Sequence, residues 1–184
     1  MKIATWNVNG IRARAAQVCD WVERDHPDII CLQELKAQAT QIPAQCQFPE
    51  YHVYWHAMKG YSGVSLQIHK SLFAFDPVFS HPPFDHESRI VQAEFGDLVL
   101  ASVYVPNGGK DYAAKLTFLR RLAAWAAQLH ADQRPLVLCG DINIARAEMD
   151  VHPKERKPNA VGQRPEERAL FEELLGTQLI DLGR

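Results

Sequence analysis

Three apolar runs in this chain each end in a group of amide and carboxylate side chains. The runs have the length of buried strands, and the polar stretches that follow them are 6–10 (WNVNG), 32–36 (LQELK) and 139–143 (CGDIN). Sheets of α/β proteins keep their functional sites at the carboxyl ends of strands, so these stretches are predicted to line one sheet edge. Amide and carboxylate oxygens suit a hard divalent cation and a phosphate group. The sequence therefore predicts an oxygen-rich site for Mg²⁺ and a phosphate.

Strand and helix patterns alternate along the rest of the sequence. Apolar periodicity predicts three helices, at 12–25, 112–130 and 165–175. Strand patterns occur at 2–8, 28–33, 51–56, 63–69 and 136–139. Residues 89–95 and 98–105 predict a hairpin that turns at Gly96-Asp97. The segment 136–139 is fully apolar and is predicted to be a central strand. Because hairpins are mixed with βα units, an α/β fold of two layers is favoured over a doubly wound sheet.

Composition excludes several classes of protein. The length of 184 residues suits a single domain, 1–184. A formal net charge of -2 excludes a globally basic nucleic-acid binder, so any contact with DNA would depend on a local patch such as the basic loop 154–164. No apolar run approaches the ~20 residues of a membrane span, and no targeting segment is visible. The four cysteines form no C-x-x-C pair, which fits a cytoplasmic protein. No cysteine or histidine cluster suited to zinc is apparent.

Five short motifs resemble one family closely. They are 6–13 (WNVNGIRA), 32–36 (LQELK), 60–64 (GYSGV), 104–108 (YVPNG) and 140–143 (GDIN). In this order and at this spacing they resemble the exonuclease III type of apurinic/apyrimidinic endonuclease. The wider superfamily, which includes pancreatic deoxyribonuclease and inositol phosphatases, shares the Asn, Glu and Gly-Asp-x-Asn elements. The GYSGV and YVPNG motifs point to the DNA-repair branch.

The resemblance implies a fold and a chemistry. The fold would be a two-layer β-sandwich flanked by helices, as in deoxyribonuclease I. The activity would be a metal-dependent phosphodiesterase that cuts 5′ to abasic sites and trims 3′ ends of double-stranded DNA. The cofactor would be Mg²⁺, with Mn²⁺ as an alternative, and the protein would act as a monomer away from membranes.

The resemblance also assigns roles to residues. Glu34 would be the principal metal ligand, with Asn7 beside it. Asp141 would be the general base or would orient the attacking water. Asn143 would hydrogen-bond the phosphate, and Tyr104 would donate to the scissile phosphate. Without the other motifs in the same chain, each of these motifs would fit an ordinary strand end or turn equally well.

Further residues fall where family members contact DNA. These are Arg12, Lys36, Tyr61, Asn107 and Asn159. Taken alone, Arg12 and Lys36 would fit solvated surface charges, and Asn107 lies in a Pro-Asn-Gly-Gly turn whose chemistry explains it equally well.

Family members also continue beyond the last residue of this chain. Their later segment supplies a further Asp and a Ser-Asp-His element, together with strands of the second sheet. The chain is therefore expected to be a fragment that lacks the C-terminal strands. Two alternatives to the repair nuclease stay open: a catalytically incompetent DNA-binding fragment, and a phosphoesterase that acts on a small phosphate ester.

Overall fold

Two four-stranded sheets and three α-helices make up the part of the chain that the computed structural model describes, residues 1–157 and 159–183. The strands are β1 Ile3–Asn7, β2 Ile29–Gln33, β3 Tyr51–Met58, β4 Tyr61–His69, β5 Val78–Ser80, β6 Ile90–Phe95, β7 Leu98–Tyr104 and β8 Leu136–Asp141. The helices are α1 Ile11–Asp25, α2 Tyr112–Ala131 and α3 Pro165–Leu175. All three predicted helices and the predicted hairpin, now β6 and β7, are confirmed.

The first sheet has the order β1-β2-β4-β3. β1 runs parallel to β2, in a register that pairs Asn7 with Gln33, whereas β2 and β4 are antiparallel. The parallel register places the carboxyl ends of β1 and β2 side by side, and each end is followed by one of the polar stretches. The prediction that these two stretches meet at one sheet edge is therefore confirmed.

The second sheet has the order β5-β6-β7-β8, and it packs face to face on the first. Ile29, Leu66 and Ile68 of the first sheet share one buried cluster with Val91 and Leu100 of the second. Each fully buried side chain of this size contributes about 1.5–3 kcal/mol through the water-excluded area. This arrangement confirms the two-layer sandwich.

The outer face of the first sheet is covered by α1. Ile11, Val18 and Val22 recur at the spacing of one helix face and are buried against Ile30 and Leu32 of β2. The helix ends at His26, which takes the left-handed conformation and donates its backbone N–H to the carbonyl of Val22. The sandwich and α1 belong to one compact unit, Met1–Tyr104 with Val137–Asp141.

A second compact unit comprises Val105–Leu136 and the described chain from Ile142 onward. Within it, α2 packs on α3. α2 is capped by Asp111, whose side chain accepts the N–H of Ala114 at 2.8 Å, and α3 begins with Pro165 at its first position. No helix among residues 1–157 and 159–183 has both the length and the apolar character needed to cross a bilayer.

Two expectations about strands need correction. The prediction that 136–139 is a central strand is wrong, because β8 is the last strand of its sheet in the described chain and all of its residues are only half-buried. An apolar run shows that a strand prefers burial, but it does not tell which elements cover it. β5 was not expected, since three residues are too few to establish a period.

Candidate active site

Asn7 connects two carboxylates that are far apart in the sequence. Its Nδ2 donates to Glu34 Oε1 at 2.9 Å and to Asp141 Oδ2 at 2.7 Å. Its Oδ1 accepts the backbone N–H of Asn9 at 3.0 Å, and this bond determines which way the amide faces. The three polar stretches therefore meet, and Asn7 acts here as a donor to both carboxylates.

Glu34 lies in a strained turn that directly follows β2 in the chain. It has a φ of 55° and Lys36 a φ of 50°, both in the left-handed region that non-glycine residues rarely occupy. Backbone hydrogen bonds hold the turn, from Gly10 N–H to the Glu34 carbonyl at 2.7 Å and from Leu35 N–H to the Gly63 carbonyl at 3.1 Å. Strain of this kind costs on the order of 1–3 kcal/mol per residue and is concentrated at functional sites.

The carboxyl group of Glu34 is held in its ionised form. Partial burial opposes ionisation, but hydrogen bonds from Asn7, Lys36 and Tyr104 outweigh it, so the pKa of Glu34 is lowered from its ordinary value. Lys36 Nζ lies 2.7 Å from Glu34 Oε2 and 2.5 Å from Asn9 Oδ1. The ammonium group of Lys36 is therefore the positive charge beside this carboxylate, and the predicted contact of Lys36 with DNA stays a prediction.

Tyr104 ends β7 with its hydroxyl group directed at Glu34. Burial, followed by the hydrogen bond to Glu34 and the charge of that carboxylate, raises the pKa of Tyr104 to about 12. The phenol is therefore protonated at neutral pH and can donate a hydrogen bond.

Arg89 is a component of this site that the sequence did not reveal. Its guanidinium group lies between the rings of Tyr61 and Tyr104, 5.2 and 5.0 Å from their centroids. It also donates to the hydroxyl of Tyr61 at 2.5 Å and to Glu87 Oε2 at 2.7 Å. Only 4% of Arg89 is exposed. A charged residue directly before an apolar strand carries no local sign of burial, so no sequence signal could have identified it.

Asp141 owes its position to the glycine before it. Gly140 has a φ of 149°, and a Cβ atom placed there would lie 1.9 Å from the carbonyl oxygen of Val103 on β7. Only glycine allows β8 to approach β7 this closely. The Gly-Asp pair is thus a packing requirement as well as a source of the carboxylate.

Asn143 is positioned within the second unit by a buried ion pair. Its Nδ2 donates to the carbonyl of Val105 at 2.9 Å, and its own carbonyl accepts Lys115 Nζ at 2.8 Å. The same ammonium group donates to the carbonyl of Asn107 at 3.3 Å and lies 2.5 Å from Glu167 Oε1. The side chains of Lys115 and Glu167 are both fully buried. Sequence reasoning missed this pair, because a lysine on a helix is normally solvated.

The remaining predicted DNA contacts are exposed. Arg12 lies in the first turn of α1, and Tyr61 is 43% exposed at the start of β4. Asn107 Oδ1 accepts the backbone N–H of Gly109 at 3.2 Å, which is turn chemistry, and Asn159 accepts Arg164 Nε on its backbone carbonyl at 3.0 Å. Their contacts with DNA stay predictions.

A group of possible metal ligands lies apart from Asn7, Glu34 and Asp141. The sequence indicated no cysteine or histidine cluster suited to zinc, yet His56, His81 and Asp85 lie together, with one ligand atom from each within 4.8 Å of the others. Their spacing in the chain matches no zinc motif, because His56 lies on β3 whereas His81 and Asp85 lie between β5 and β6.

Comparison with known proteins defines the class. A model of the endonuclease/exonuclease/phosphatase family matches residues 4–174, and the chain belongs to this family. It is 39% identical over 196 residues to the DNA repair nuclease APEX1 of Danio rerio, an alignment that covers 100% of this chain and 62% of the relative. It is 33% identical to an exodeoxyribonuclease of Bacillus subtilis, with 100% of this chain and 75% of the relative covered.

A solved structure supports the same classification. The structure of the 3′ phosphatase NExo from Neisseria, bound to a product DNA hairpin, superimposes with a TM-score of 0.82 at 30% identity, covering 96% of this chain and 71% of that one. The resemblance to DNA-repair nucleases of the exonuclease III type is thereby confirmed. The chain spans only 62% of the length of the Danio rerio relative.

Proposed function

We propose that the protein is a divalent-metal-dependent phosphodiesterase of DNA repair that cuts duplex DNA 5′ to abasic sites and trims 3′ ends. The observation that carries the proposal is the amide of Asn7 joined to the carboxylates of Glu34 and Asp141. The names of its relatives support DNA as the substrate, since one is a DNA repair nuclease and another was solved with a product DNA hairpin.

The possible ligand atoms around Asn7 fit Mg²⁺, and they fit Mn²⁺ by the same chemistry. They are oxygen atoms of carboxylates and an amide, and the lowered pKa of Glu34 keeps that carboxylate charged. Glu34 and Asn7 would hold the ion, and Asn7 would have to turn its oxygen toward it. When bound, the ion would neutralise charge on the phosphate oxygens. The ion pair between Lys36 and Glu34, at 2.7 Å, supports a carboxylate that interacts with positive charge.

The remaining site residues would act on the water and the phosphate. Asp141 would orient the attacking water and accept its proton. Asn143 and Tyr104 would donate hydrogen bonds to phosphate oxygens, where a single preorganised donor is typically worth on the order of 10²–10³ in rate. Since the pKa of Tyr104 is raised to about 12, its donor proton is retained over the whole physiological range.

Contacts with the duplex would come from side chains at the surface. We assign them to Arg12, Lys36, Tyr61, Asn107 and Asn159, which would bind backbone phosphates and fix the register of the duplex. We also propose that the protein is a monomer and acts in the cytoplasm.

The test uses a labelled duplex that contains one abasic site. With Mg²⁺ the protein should yield the fragment that ends 5′ to that site, and excess EDTA should abolish the cut. Glu34→Gln should lose activity that high Mg²⁺ partly restores, because weak metal binding is overcome by mass action. Asp141→Asn should lose turnover without such rescue while it still binds the duplex.

The matched control is Glu23→Gln, an exposed carboxylate on α1, which should change neither rate nor metal dependence. Equal rescue of both site variants by Mg²⁺ would contradict the assigned roles. Duplex binding without any cut would favour a catalytically incompetent DNA-binding fragment. Faster hydrolysis of a small phosphate ester than of the duplex would favour the phosphoesterase.

A further inference from the structure

Three side chains of types that can ligate a metal meet where the edge strands of the two sheets come together. His56 lies on β3, the last strand of the first sheet, and His81 directly follows β5, the last strand of the second. Asp85 lies in the loop from β5 to β6. We call these three residues the edge cluster. Tyr54 of β3 also stacks on Phe79 of β5 at 5.5 Å, so the two edge strands are in contact beside the cluster.

The geometry of the edge cluster is close to that of a metal site. His56 Nε2 lies 2.5 Å from Asp85 Oδ2, and all three ligand atoms lie within 4.8 Å of one another. A tetrahedral zinc ion with bonds of about 2.0–2.1 Å sets its ligand atoms about 3.3 Å apart, which lies between these two values. The ring of His81 stacks on that of His56 at 4.4 Å. Because His81 is exposed, its ring can turn toward a common ion.

Asp85 is oriented for this role from its other side. Its Oδ1 accepts the backbone N–H of Arg89 at 2.8 Å, which leaves Oδ2 directed at the edge cluster. The side chain of Asp85 is only 1% exposed. A carboxylate fixed by an outer hydrogen bond is typical of metal ligands, because the bond holds the ligand in place.

We propose that the edge cluster binds Zn²⁺ through His56, His81 and Asp85, with water in the fourth position. Two imidazoles and one carboxylate form a ligand set that zinc prefers, whereas Mg²⁺ takes oxygen ligands. The ion joins β3 to the loop that leads to β6. Through Asp85 it also holds the backbone of Arg89, whose side chain lies between Tyr61 and Tyr104. The proposal is independent of the nuclease function.

The experiment titrates metal-free protein with Zn²⁺ in an excess of Mg²⁺, which occupies oxygen-only sites. Calorimetry should show one equivalent of Zn²⁺ bound at the edge cluster. Co²⁺ should give the visible absorption of a tetrahedral site. At a hundredfold excess over Kd the thermal midpoint should rise by about 5–10 °C. His81→Ala should lose the zinc equivalent, the cobalt spectrum and the thermal shift together.

The control is His86→Ala, an exposed histidine beside Asp85 that lies outside the edge cluster. This variant should keep all three signals. His81 is exposed, so its replacement is not expected to unfold the protein, and urea denaturation in EDTA checks this. Zinc binding that survives His81→Ala, a loss in His86→Ala equal to that in His81→Ala, or no zinc bound by the parent protein would each overturn the proposal.

Discussion

Replacing Lys115 with methionine should destabilise the second compact unit strongly. The ammonium group lies 2.5 Å from Glu167 Oε1, and both side chains are fully buried. At this distance and an effective dielectric constant of about 20, the gross attraction is about 7 kcal/mol, part of which is cancelled by the cost of removing both charges from water. Methionine fills the same volume but leaves the carboxylate of Glu167 buried without its counter-ion. We expect the free energy of unfolding to fall by about 3–5 kcal/mol.

The same substitution should loosen the segment that holds Asn143. Lys115 is the donor to the carbonyl groups of Asn143 and Asn107, and Glu167 in turn accepts the backbone N–H of Gly162 at 2.8 and 2.9 Å. Without the ammonium group, the carbonyl groups of Asn143 and Asn107 lose their shared donor, and Glu167 loses its counter-ion. Amide hydrogen exchange around Asn143 should therefore accelerate.

Urea denaturation followed by circular dichroism measures the stability change. The matched control is Arg120→Met, an exposed cation on the same helix, which should stay within about 0.5 kcal/mol of the parent. Glu167→Gln should cost a similar amount to Lys115→Met, because it leaves the ammonium group unpaired. The double variant should cost less than the sum of the two by at least about 1 kcal/mol, since it removes both charges.

A loss of less than about 1 kcal/mol for Lys115→Met would refute the reasoning. That value is typical of a solvated ion pair and would mean that water reaches the ammonium group. Strict additivity in the double variant would lead to the same conclusion.

Three further predictions concern other parts of the molecule. The pKa of Tyr104 in the folded protein is about 12, above the ordinary value of 10.0. The protonated phenol of Tyr104 therefore stabilises the folded protein fully below pH 10, and this contribution disappears between pH 10 and 12. Tyr104→Phe should lose less stability across that window, and identical pH profiles would contradict this. Gly140→Ala should lower the free energy of unfolding by more than about 4 kcal/mol, because the new Cβ atom would clash with the backbone of Val103. Gly96→Ala, with open space around it, should lower it by about 1–2 kcal/mol. Equal losses in the two variants would count against the clash. Neutralising Lys154 and Lys157 should lower the salt slope of DNA binding by about 1.8, at ~0.9 per phosphate contact, and an unchanged slope would place the basic loop away from DNA.

The sequence by itself determined the three helices, most of the strands and the placement of the polar stretches at strand ends. Apolar periodicity is a local property, so the helices, the hairpin at Gly96-Asp97 and the fully buried strand β2 could all be predicted. Asn7 and Glu34 could be placed at strand ends because a strand and its end lie within a few residues. The parallel pairing of β1 with β2 then brings the two residues together.

Only the tertiary structure decided which distant charged side chains and histidines meet. Arg89 is buried between two tyrosines, and Lys115 is buried against Glu167, although nothing near either residue in the sequence distinguishes it from a solvated cation. His56 and His81 meet because the edge strands of two different sheets lie together. A buried charge is tolerated only where a partner from another element reaches it, and that partner is set by packing rather than by local pattern.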